Sequence, residues 1–254
     1  MVEDAEDRFA VWMAALESRH LADLTFPEVS RALRALSSTY VERRGKLAEG
    51  AALSGAGKRA AFALFYGPLH HLLVRHIVRS LPGATSEVSA IVDLGCGTGA
   101  SGAAWARACA IPPRMLGIDR HRWAVGEAAH TYQLFALPGA ARQGDVATAP
   151  LPKGALLAAF TLNEMPDPAR EALLEKLLAR GIGGDSVLIV EPLAGFVARW
   201  WDTWRERFEA AGGRADQWRV RAELPPIVAK LDRAAGLKHP EITGKSIWLG
   251  RHGA

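Results

Sequence analysis

A hydrophobic segment that runs directly into closely spaced glycines is the feature that most constrains this fold. Residues 91–99 read IVDLGCGTG, and a helix-forming stretch follows from Ser101. Glycine adopts left-handed backbone conformations without strain and lets main-chain amides approach a ligand closely. Because the start of a helix favours a negatively charged group, the segment predicts a strand, a tight turn and a helix that together bind a nucleotide-type cofactor.

After residue 88 the sequence alternates between short aliphatic runs and helical stretches. Strands that alternate with helices form crossover units, and such units build a parallel sheet with helices on both faces. We therefore expect an α/β fold with a doubly wound, mainly parallel sheet. The expected strands are 90–94, 115–118, 156–161, 187–190 and 246–250, and the expected helices are 101–110, 168–180, 196–211 and 225–235.

The chain before residue 85 has helical periodicity instead of strands. Thr25 and Glu28 have the spacing of a capping box, which satisfies free amides at the start of a helix. Gly67–Pro68 predicts an interruption in a later apolar helix, because proline lacks the amide and clashes with the preceding turn. We expect two domains, an N-terminal helical lobe (1–84) and a cofactor-binding domain (85–254).

Composition argues against several classes of protein. With 254 residues, 49% of them hydrophobic, the chain can bury a sizeable core. Cys96 and Cys109 are too few for a four-thiolate site, and His70, His71 and His76 lack the one-turn spacing that puts two imidazoles on one metal. No apolar run reaches the roughly 18 residues of a membrane-spanning helix, and the first residues are acidic. We expect a cytoplasmic protein without a metal or a membrane partner.

Positive charge is concentrated in two flanks of the chain. Residues 31–59 carry seven basic and two acidic side chains, and residues 199–254 carry eleven and seven, within a net charge of +4. Such flanks attract a polyanion such as RNA, although the same lysines and arginines also occur as a solvated helix face. The charge leaves both interpretations open.

Asp93 stands two residues before the first glycine of the turn, and glycines follow at every second position. This D-x-G-x-G-x-G pattern resembles the first motif of class I S-adenosylmethionine (SAM) methyltransferases. The resemblance implies the Rossmann-like methyltransferase fold, SAM as cofactor and methyl transfer as the activity. Gly97, Gly99 and Gly102 also have the G-x-G-x-x-G spacing of nicotinamide enzymes, the alternative cofactor class. The candidate cofactor residues of this segment are Asp93, Gly95, Cys96, Gly97 and Gly99.

Later segments match the same class in order. Asp119 ends the second expected strand, where the class binds the ribose hydroxyls of SAM, and Asp145 follows the third, where the adenine amino group is received. Asn163 and Glu164 follow the fourth strand, from which the class lines the sulfonium and the methyl acceptor. Asn163 is therefore a candidate for cofactor binding and catalysis and Glu164 for catalysis, with Glu191 as a more remote candidate. An ordinary cap or turn role remains the alternative for the two aspartates and for Asn163 and Glu164.

Further segments outside the cofactor motifs are 36–40, 43–44, 53–54, 162–167, 190–192 and 195–196. With them the chain resembles the methyltransferase-like family associated with the ribosomal small subunit, over about residues 30–200. That family commonly carries cysteines for an iron-sulfur cluster after the fifth strand. Residues 195–254 contain no cysteine, so no cluster is expected.

Three hypotheses remain for what the chain acts on. The first is RNA, ribosomal RNA above all, with the ribosomal small subunit as partner. The second is a small molecule, with the helical lobe as a lid over an aromatic pocket. The third is a non-catalytic ribosome assembly factor. The basic side chains that would bind RNA are Arg31, Arg34, Arg43, Arg44, Lys58 and Arg59, and the aromatic side chains of the pocket are Phe62, Phe65, Tyr66 and Trp200.

Overall fold

The computed structural model describes residues 2–42, 53–193, 200–237 and 239–250. The α-helices are α1 (Val2–His20), α2 (Phe26–Glu42), α3 (Ala56–Ala61), α4 (Gly67–Ser80), α5 (Ala100–Ala108), α6 (Arg122–Leu134), α7 (Asp167–Ile182), α8 (Trp201–Ala210) and α9 (Pro226–Ala235). The strands are β1 (Ala90–Leu94), β2 (Arg114–Asp119), β3 (Gly139–Gln143), β4 (Ala155–Ala159), β5 (Val187–Glu191), β6 (Arg214–Val220) and β7 (Ile242–Leu249). A π-helical segment (Phe62–Tyr66) and a 3-10 turn (Leu162–Glu164) complete the described elements.

The chain divides into two compact units. Unit 1 comprises Met1–His70 and Arg221–Ile242, and unit 2 comprises His71–Val220 and Thr243–Ala254. The helix α9, which follows the sheet strand β6 in sequence, therefore belongs with the N-terminal helices. The domain boundary expected between residues 84 and 85 stays a prediction.

Unit 2 is built on a seven-stranded sheet in the order β3-β2-β1-β4-β5-β7-β6. The pairs from β3 to β5 are parallel, whereas β7 runs antiparallel to β5 and places Lys245 opposite Glu191. The expected α/β fold with a mainly parallel sheet is confirmed. Because parallel strands end at one edge of a sheet, the segments that follow β1, β2, β4 and β5 meet there, where open α/β sheets bind ligands.

Burial explains which strands the sequence predicts well. All five residues of β4 and all five of β5 are buried, as expected for strands covered on both faces. Strand β6 lies at one end of the sheet order and is mostly exposed or half-buried. Its sequence is accordingly polar, and no aliphatic run marked it as a strand.

Unit 1 packs its helices around a small apolar core. Trp12 of α1 and Val29, Leu33 and Leu36 of α2 are fully buried. At the start of α2, the backbone N–H of Thr25 donates to Glu28 Oε2 over 2.7 Å. The side chain of Glu28 thus satisfies an amide at the helix start, which is one of the two bonds of the predicted capping box.

The expected interruption at Gly67–Pro68 takes the form of a widened turn. The chain is helical from α3 through α4, and the N–H of Gly67 donates to the carbonyl oxygen of Phe62, five residues earlier. Widening by one residue just before Pro68 keeps the backbone helical although proline lacks an amide of its own. The helix therefore continues where the sequence predicted a break.

Some predictions fall outside the part of the chain that the structure describes. They concern Arg43, Arg44 and the segment 194–199, which includes the first residues of the expected helix 196–211. Within the described ranges, no helix is long and apolar enough to cross a membrane.

Candidate cofactor and acceptor site

The glycine turn joins β1 to α5 at the carboxyl edge of the sheet. Gly95, Gly97 and Gly99 have φ angles of +70°, +52° and +74°, in the left-handed region that glycine adopts without strain. The amides of Gly95 and Cys96 donate to the carbonyl oxygen of Ile118 over 2.8 and 3.1 Å. These bonds tie the turn to the end of β2, so the predicted strand, turn and helix are present.

Asp119, the last residue of β2, lies directly beside this turn. Its Oδ2 accepts a hydrogen bond from the N–H of Gly97 over 3.0 Å, and its Oδ1 accepts one from the N–H of His121 over 2.7 Å. Each carboxylate oxygen has a second lone pair. The half-buried carboxylate can therefore hold its own loop and still accept bonds from two ribose hydroxyls, which fits the predicted role.

Asp93 lies beneath the turn. Its side chain is 1% exposed, and its Oδ2 accepts a hydrogen bond from the N–H of Gly102 over 3.2 Å. Burial raises the pKa of Asp93 to about 7, partly offset by the Gly102 bond. The contact satisfies a free amide in the first turn of α5, so in this geometry Asp93 supports the turn from inside the fold. A direct contact with the cofactor stays a prediction.

Cys96 contributes a small buried side chain to the turn. Its pKa is raised well above the ordinary thiol value, first by burial and then by the nearby carboxylates of Asp93 and Asp119. A thiol held in its protonated form is a poor nucleophile. This agrees with an interpretation of Cys96 as a loop residue of the cofactor site.

Asp145 follows β3 and is exposed. Its Oδ1 accepts a hydrogen bond from the N–H of Ala147 over 2.9 Å, which is the geometry of an aspartate that closes a turn. The preceding Gly144 donates its N–H to the carbonyl oxygen of Asp119 over 2.9 Å. The adenine contact expected of Asp145 stays a prediction, and its second carboxylate oxygen remains available for it.

Thr161 connects the loop after β4 to the end of β1. Its hydroxyl donates to the carbonyl oxygen of Leu94 over 2.9 Å, next to Phe160, whose φ of +58° is uncommon for a residue with a side chain. The following 3-10 turn carries Asn163 and Glu164, both half-buried. Sequence reasoning did not identify Thr161, because a single threonine after a strand carries no pattern.

Asn163 is held by two side chains from other elements. Glu191 Oε2 accepts a hydrogen bond from Asn163 Nδ2 over 2.6 Å, and Trp200 Nε1 donates to Asn163 Oδ1 over 3.0 Å. Glu191 is fully buried. The structure thus brings Asn163 together with the remote candidate Glu191 and with Trp200, one of the aromatic side chains expected to line an acceptor pocket. The catalytic roles of Asn163 and Glu164 and the cofactor-binding role of Asn163 remain predictions.

A metal centre was not expected, and no cluster of three or more candidate ligands exists within the described ranges. His71 is buried, its Nδ1 lies 3.3 Å from the carbonyl oxygen of Ala100, and its ring stacks on Phe135. Burial lowers the pKa of His71 to about 3. The imidazole is therefore neutral and packs under the start of α5.

Comparison with known proteins identifies the class of the chain. Residues 91–180, which begin in β1 and end in α7, match a family model described as a methyltransferase domain. The chain is a class I SAM-dependent methyltransferase. SAM is accordingly its cofactor, and the glycine turn with Asp119 has the donor and acceptor groups to hold it. The matching model describes a general methyltransferase domain, so the closer resemblance to the ribosomal small-subunit family is not supported.

Solved structures share the fold of this methyltransferase over most of its length. An O-methyltransferase family protein from Burkholderia thailandensis matches with a TM-score of 0.57 and 14% identity, covering 94% of this chain and 77% of that one. The O-methyltransferase NcsB1 from neocarzinostatin biosynthesis was solved with SAM and 2-hydroxy-5-methyl naphthoic acid. It matches with a TM-score of 0.51 and 15% identity, covering 93% of this chain and 74% of that one. The mitomycin 7-O-methyltransferase MmcR matches with a TM-score of 0.51 and 13% identity, covering 94% of this chain and 72% of that one. No curated protein matches the chain.

Proposed function

We propose that this methyltransferase transfers the methyl group of SAM to a small aromatic molecule. The observation that carries the proposal is a ladder of rings in unit 1, formed by Phe62, Tyr66 and His70. Neighbouring ring centroids lie 6.0 Å apart for Phe62 and Tyr66 and 6.1 Å apart for Tyr66 and His70. All three residues are half-buried, so a part of each remains exposed.

The ladder is uncharged near neutral pH. Burial lowers the pKa of His70 to about 3, and burial raises the pKa of Tyr66. A partly exposed surface of neutral rings suits a flat aromatic ligand, which stacks on it or packs edge to face. Ligand sites are commonly lined by such side chains with a few polar groups among them.

The similar solved structures give the proposal secondary support. NcsB1 was solved with a naphthoic acid, and MmcR is named for mitomycin, a small molecule. Their likeness to this chain is one of fold, and it extends beyond residues 91–180 to more than nine-tenths of the chain.

RNA, ribosomal RNA included, is the second candidate acceptor, and the basic flank 31–59 favours it. Arg31 and Arg34 are exposed on α2, where they are accessible to phosphates. The C-terminal flank gives less support than its composition suggests, because carboxylates neutralise several of its arginines. These pairs are Arg205 with Glu209, Arg207 with Glu175, Arg214 with Asp216 and Arg221 with Glu241.

The proposed mechanism requires little acid-base catalysis by the protein. SAM supplies a methyl group that is already electrophilic because it is bonded to a sulfonium. The residues of the chain then have to hold the cofactor sugar, through Asp119, and hold the acceptor in line with the methyl group. Asn163 orients the acceptor, and the carboxylate of Glu164 receives a proton where the acceptor is a hydroxyl.

The test is methyl transfer from tritiated SAM to two fractions of a cell extract, its small molecules and its total RNA. Label in the small-molecule fraction is expected, whereas label in RNA alone overturns the proposal. Phe62→Ala should lower transfer to small molecules, and Phe9→Ala, another half-buried ring of unit 1, should not.

The RNA alternative has its own variants. If RNA is the acceptor, the double variant Arg31→Gln with Arg34→Gln should weaken transfer and flatten its dependence on salt. Arg114→Gln is the matched control, because Arg114 is exposed at the amino end of β2, whereas the candidate site follows the carboxyl ends of the strands.

A further inference from the structure

The side chain of Glu191 joins the ends of two strands in the core of unit 2. Glu191 is the last residue of β5 and is fully buried. Its Oε1 accepts hydrogen bonds from the N–H groups of Leu162 and Asn163 over 2.9 and 3.3 Å, and its Oε2 accepts one from Asn163 Nδ2 over 2.6 Å. One carboxyl group thus fixes both the backbone and the side chain of Asn163.

Trp200 fixes the opposite end of the same amide. An indole N–H can only donate a hydrogen bond, so its 3.0 Å contact requires the carbonyl oxygen of Asn163 on that side. The contact with Glu191 requires the NH2 group on the other. The two partners therefore determine the orientation of the amide without ambiguity.

The partners themselves are held in place. The guanidinium carbon of Arg170 lies 5.6 Å from the centre of the Trp200 ring. The ring of Trp201 packs against the ring of Trp200, with ring centroids 5.5 Å apart. Lys245 stands opposite Glu191 in the sheet and is 5% exposed, with its Nζ 4.4 Å from the centre of the Trp201 ring. The partners of Asn163 are thus themselves packed against other side chains, which a polar binding group needs if it is to be preorganised.

Among the residues that the structure describes, these contacts leave two hydrogen-bonding positions of Asn163 without a partner. The NH2 group has a second N–H, and the carbonyl oxygen has a second lone pair. The side chain is half-buried and follows β4 at the carboxyl edge of the sheet, beside the glycine turn to which Thr161 ties its loop. A buried, fully paired structural amide would have no such group left to offer.

Resting on the role proposed above for Asn163, we propose that Glu191 and Trp200 are positioning residues, which hold the Asn163 amide so that its remaining donor and acceptor can bind the methyl acceptor. The inference rests on methyl transfer and holds for a small-molecule or an RNA acceptor. An acceptor recognised in this way carries a neutral polar group that can both accept and donate a hydrogen bond.

The charges around Glu191 come from several elements. Burial is the main cause that raises the pKa of Glu191; the charge of Glu164, on the loop after β4, raises this pKa further, and the charge of Lys245 of β7 lowers it. Lys245 in turn is influenced by Asp202 of α8. Glu191→Gln keeps one oxygen for the backbone amides of Leu162 and Asn163, but its NH2 group takes the place of Oε2 and cannot accept a hydrogen bond from Asn163 Nδ2.

The experiment uses tritiated SAM, the full chain and whichever extract fraction the wild type labels as the probe. Trp200→Phe and Glu191→Gln should each raise the half-saturating concentration of that fraction about tenfold, while the dissociation constant for SAM, measured by calorimetry, changes less than twofold. Trp204→Phe is the matched control. This variant also loses an indole N–H, but the N–H of Trp204 donates to Glu171 over 2.8 Å and not to Asn163. It should therefore leave the half-saturating concentration unchanged.

A double-variant comparison separates positioning from general stability. In an Asn163→Ala background, Trp200→Phe should have no further effect on half-saturation, because its action passes through the amide. Additive effects, or equal losses of acceptor and SAM binding, overturn the positioning roles. Label in RNA alone overturns the small-molecule acceptor, but the variants can then be tested with RNA. Label in neither fraction overturns both the small-molecule acceptor and the positioning roles of Glu191 and Trp200.

Discussion

Asp119 Oδ2 accepts a hydrogen bond from the backbone N–H of Gly97, so the acid at the end of β2 also braces the glycine turn that follows β1. Two motifs that lie 22 residues apart in sequence are one structural unit at the carboxyl edge of the sheet. A change at Asp119 should therefore act on SAM in two ways, by removing ribose contacts and by loosening the turn.

Replacing Asp119 with Ala should weaken SAM binding by about 1 to 3 kcal/mol, because hydrogen bonds to a charged group are lost. Asp119→Asn should lie between wild type and Ala, since its carbonyl oxygen can still accept from Gly97. Titration calorimetry measures each dissociation constant. Asp216→Ala, which removes an acid on the edge strand β6, serves as the control, and an unchanged affinity in Asp119→Ala would remove this residue from the site.

Replacing Gly97 with Val should abolish SAM binding. The φ of +52° is unfavourable for a residue with a side chain by about 1 to 2 kcal/mol, and a branched side chain fills space beside the turn. Gly126→Ala is the matched control. Gly126 lies in α6 with nothing within 4 Å of an added Cβ, so this variant should keep SAM affinity and gain about 0.5 to 1 kcal/mol of stability.

Thr161→Val should lower both stability and SAM affinity. The change keeps the shape of the side chain but removes the hydroxyl that donates to the carbonyl oxygen of Leu94, with an expected loss of about 1 kcal/mol in the free energy of unfolding. Thr161→Ser keeps the hydroxyl and should retain most of both. Urea unfolding and calorimetry on the two variants check this, and equal behaviour of Val and Ser would show that the hydroxyl is unimportant.

Stability should fall as pH rises from 6.5 to 8.5. Burial raises the pKa of Glu191 from its ordinary 4.5 to about 8 and that of Asp93 from 3.8 to about 7. Between the ordinary and the raised pKa, the folded state binds more protons than the unfolded state, so the free energy of unfolding decreases with pH. We expect a loss of about 3 kcal/mol over this window in urea unfolding experiments, about two thirds of it from Glu191.

Variants isolate the contribution of Glu191 to this loss. Glu191→Gln should flatten the pH dependence, whereas Glu175→Gln should not, because Glu175 is exposed and its pKa is lowered by Arg207. Below pH 6.5 the buried His70 and His71, with pKa values lowered to about 3, act in the opposite direction. A slope in Glu191→Gln equal to that of wild type would contradict the assignment.

The parallel core of the sheet was predictable because its strands are buried on both faces and therefore read as aliphatic runs. The edge strand β6 was not predictable in this way, because an exposed strand does not need a run of aliphatic residues. The interruption expected at Gly67–Pro68 is a π-helical turn within a backbone that stays helical, and this form was not predictable from the sequence. Whether a proline breaks a helix depends on whether the preceding turn can widen, and the sequence does not encode that locally.

For the candidate site, the sequence by itself determined the position of the glycine turn and of the acids at the strand ends. A strand followed by glycines in left-handed conformations, and acids at the ends of successive strands, are local patterns whose physical causes act within a few residues. Only the tertiary structure decided what these side chains do for one another. Asn163, Glu191 and Trp200 come from three separate elements, and hydrogen bonds between such elements form only once packing has brought the ends of β4, β5 and the start of α8 together.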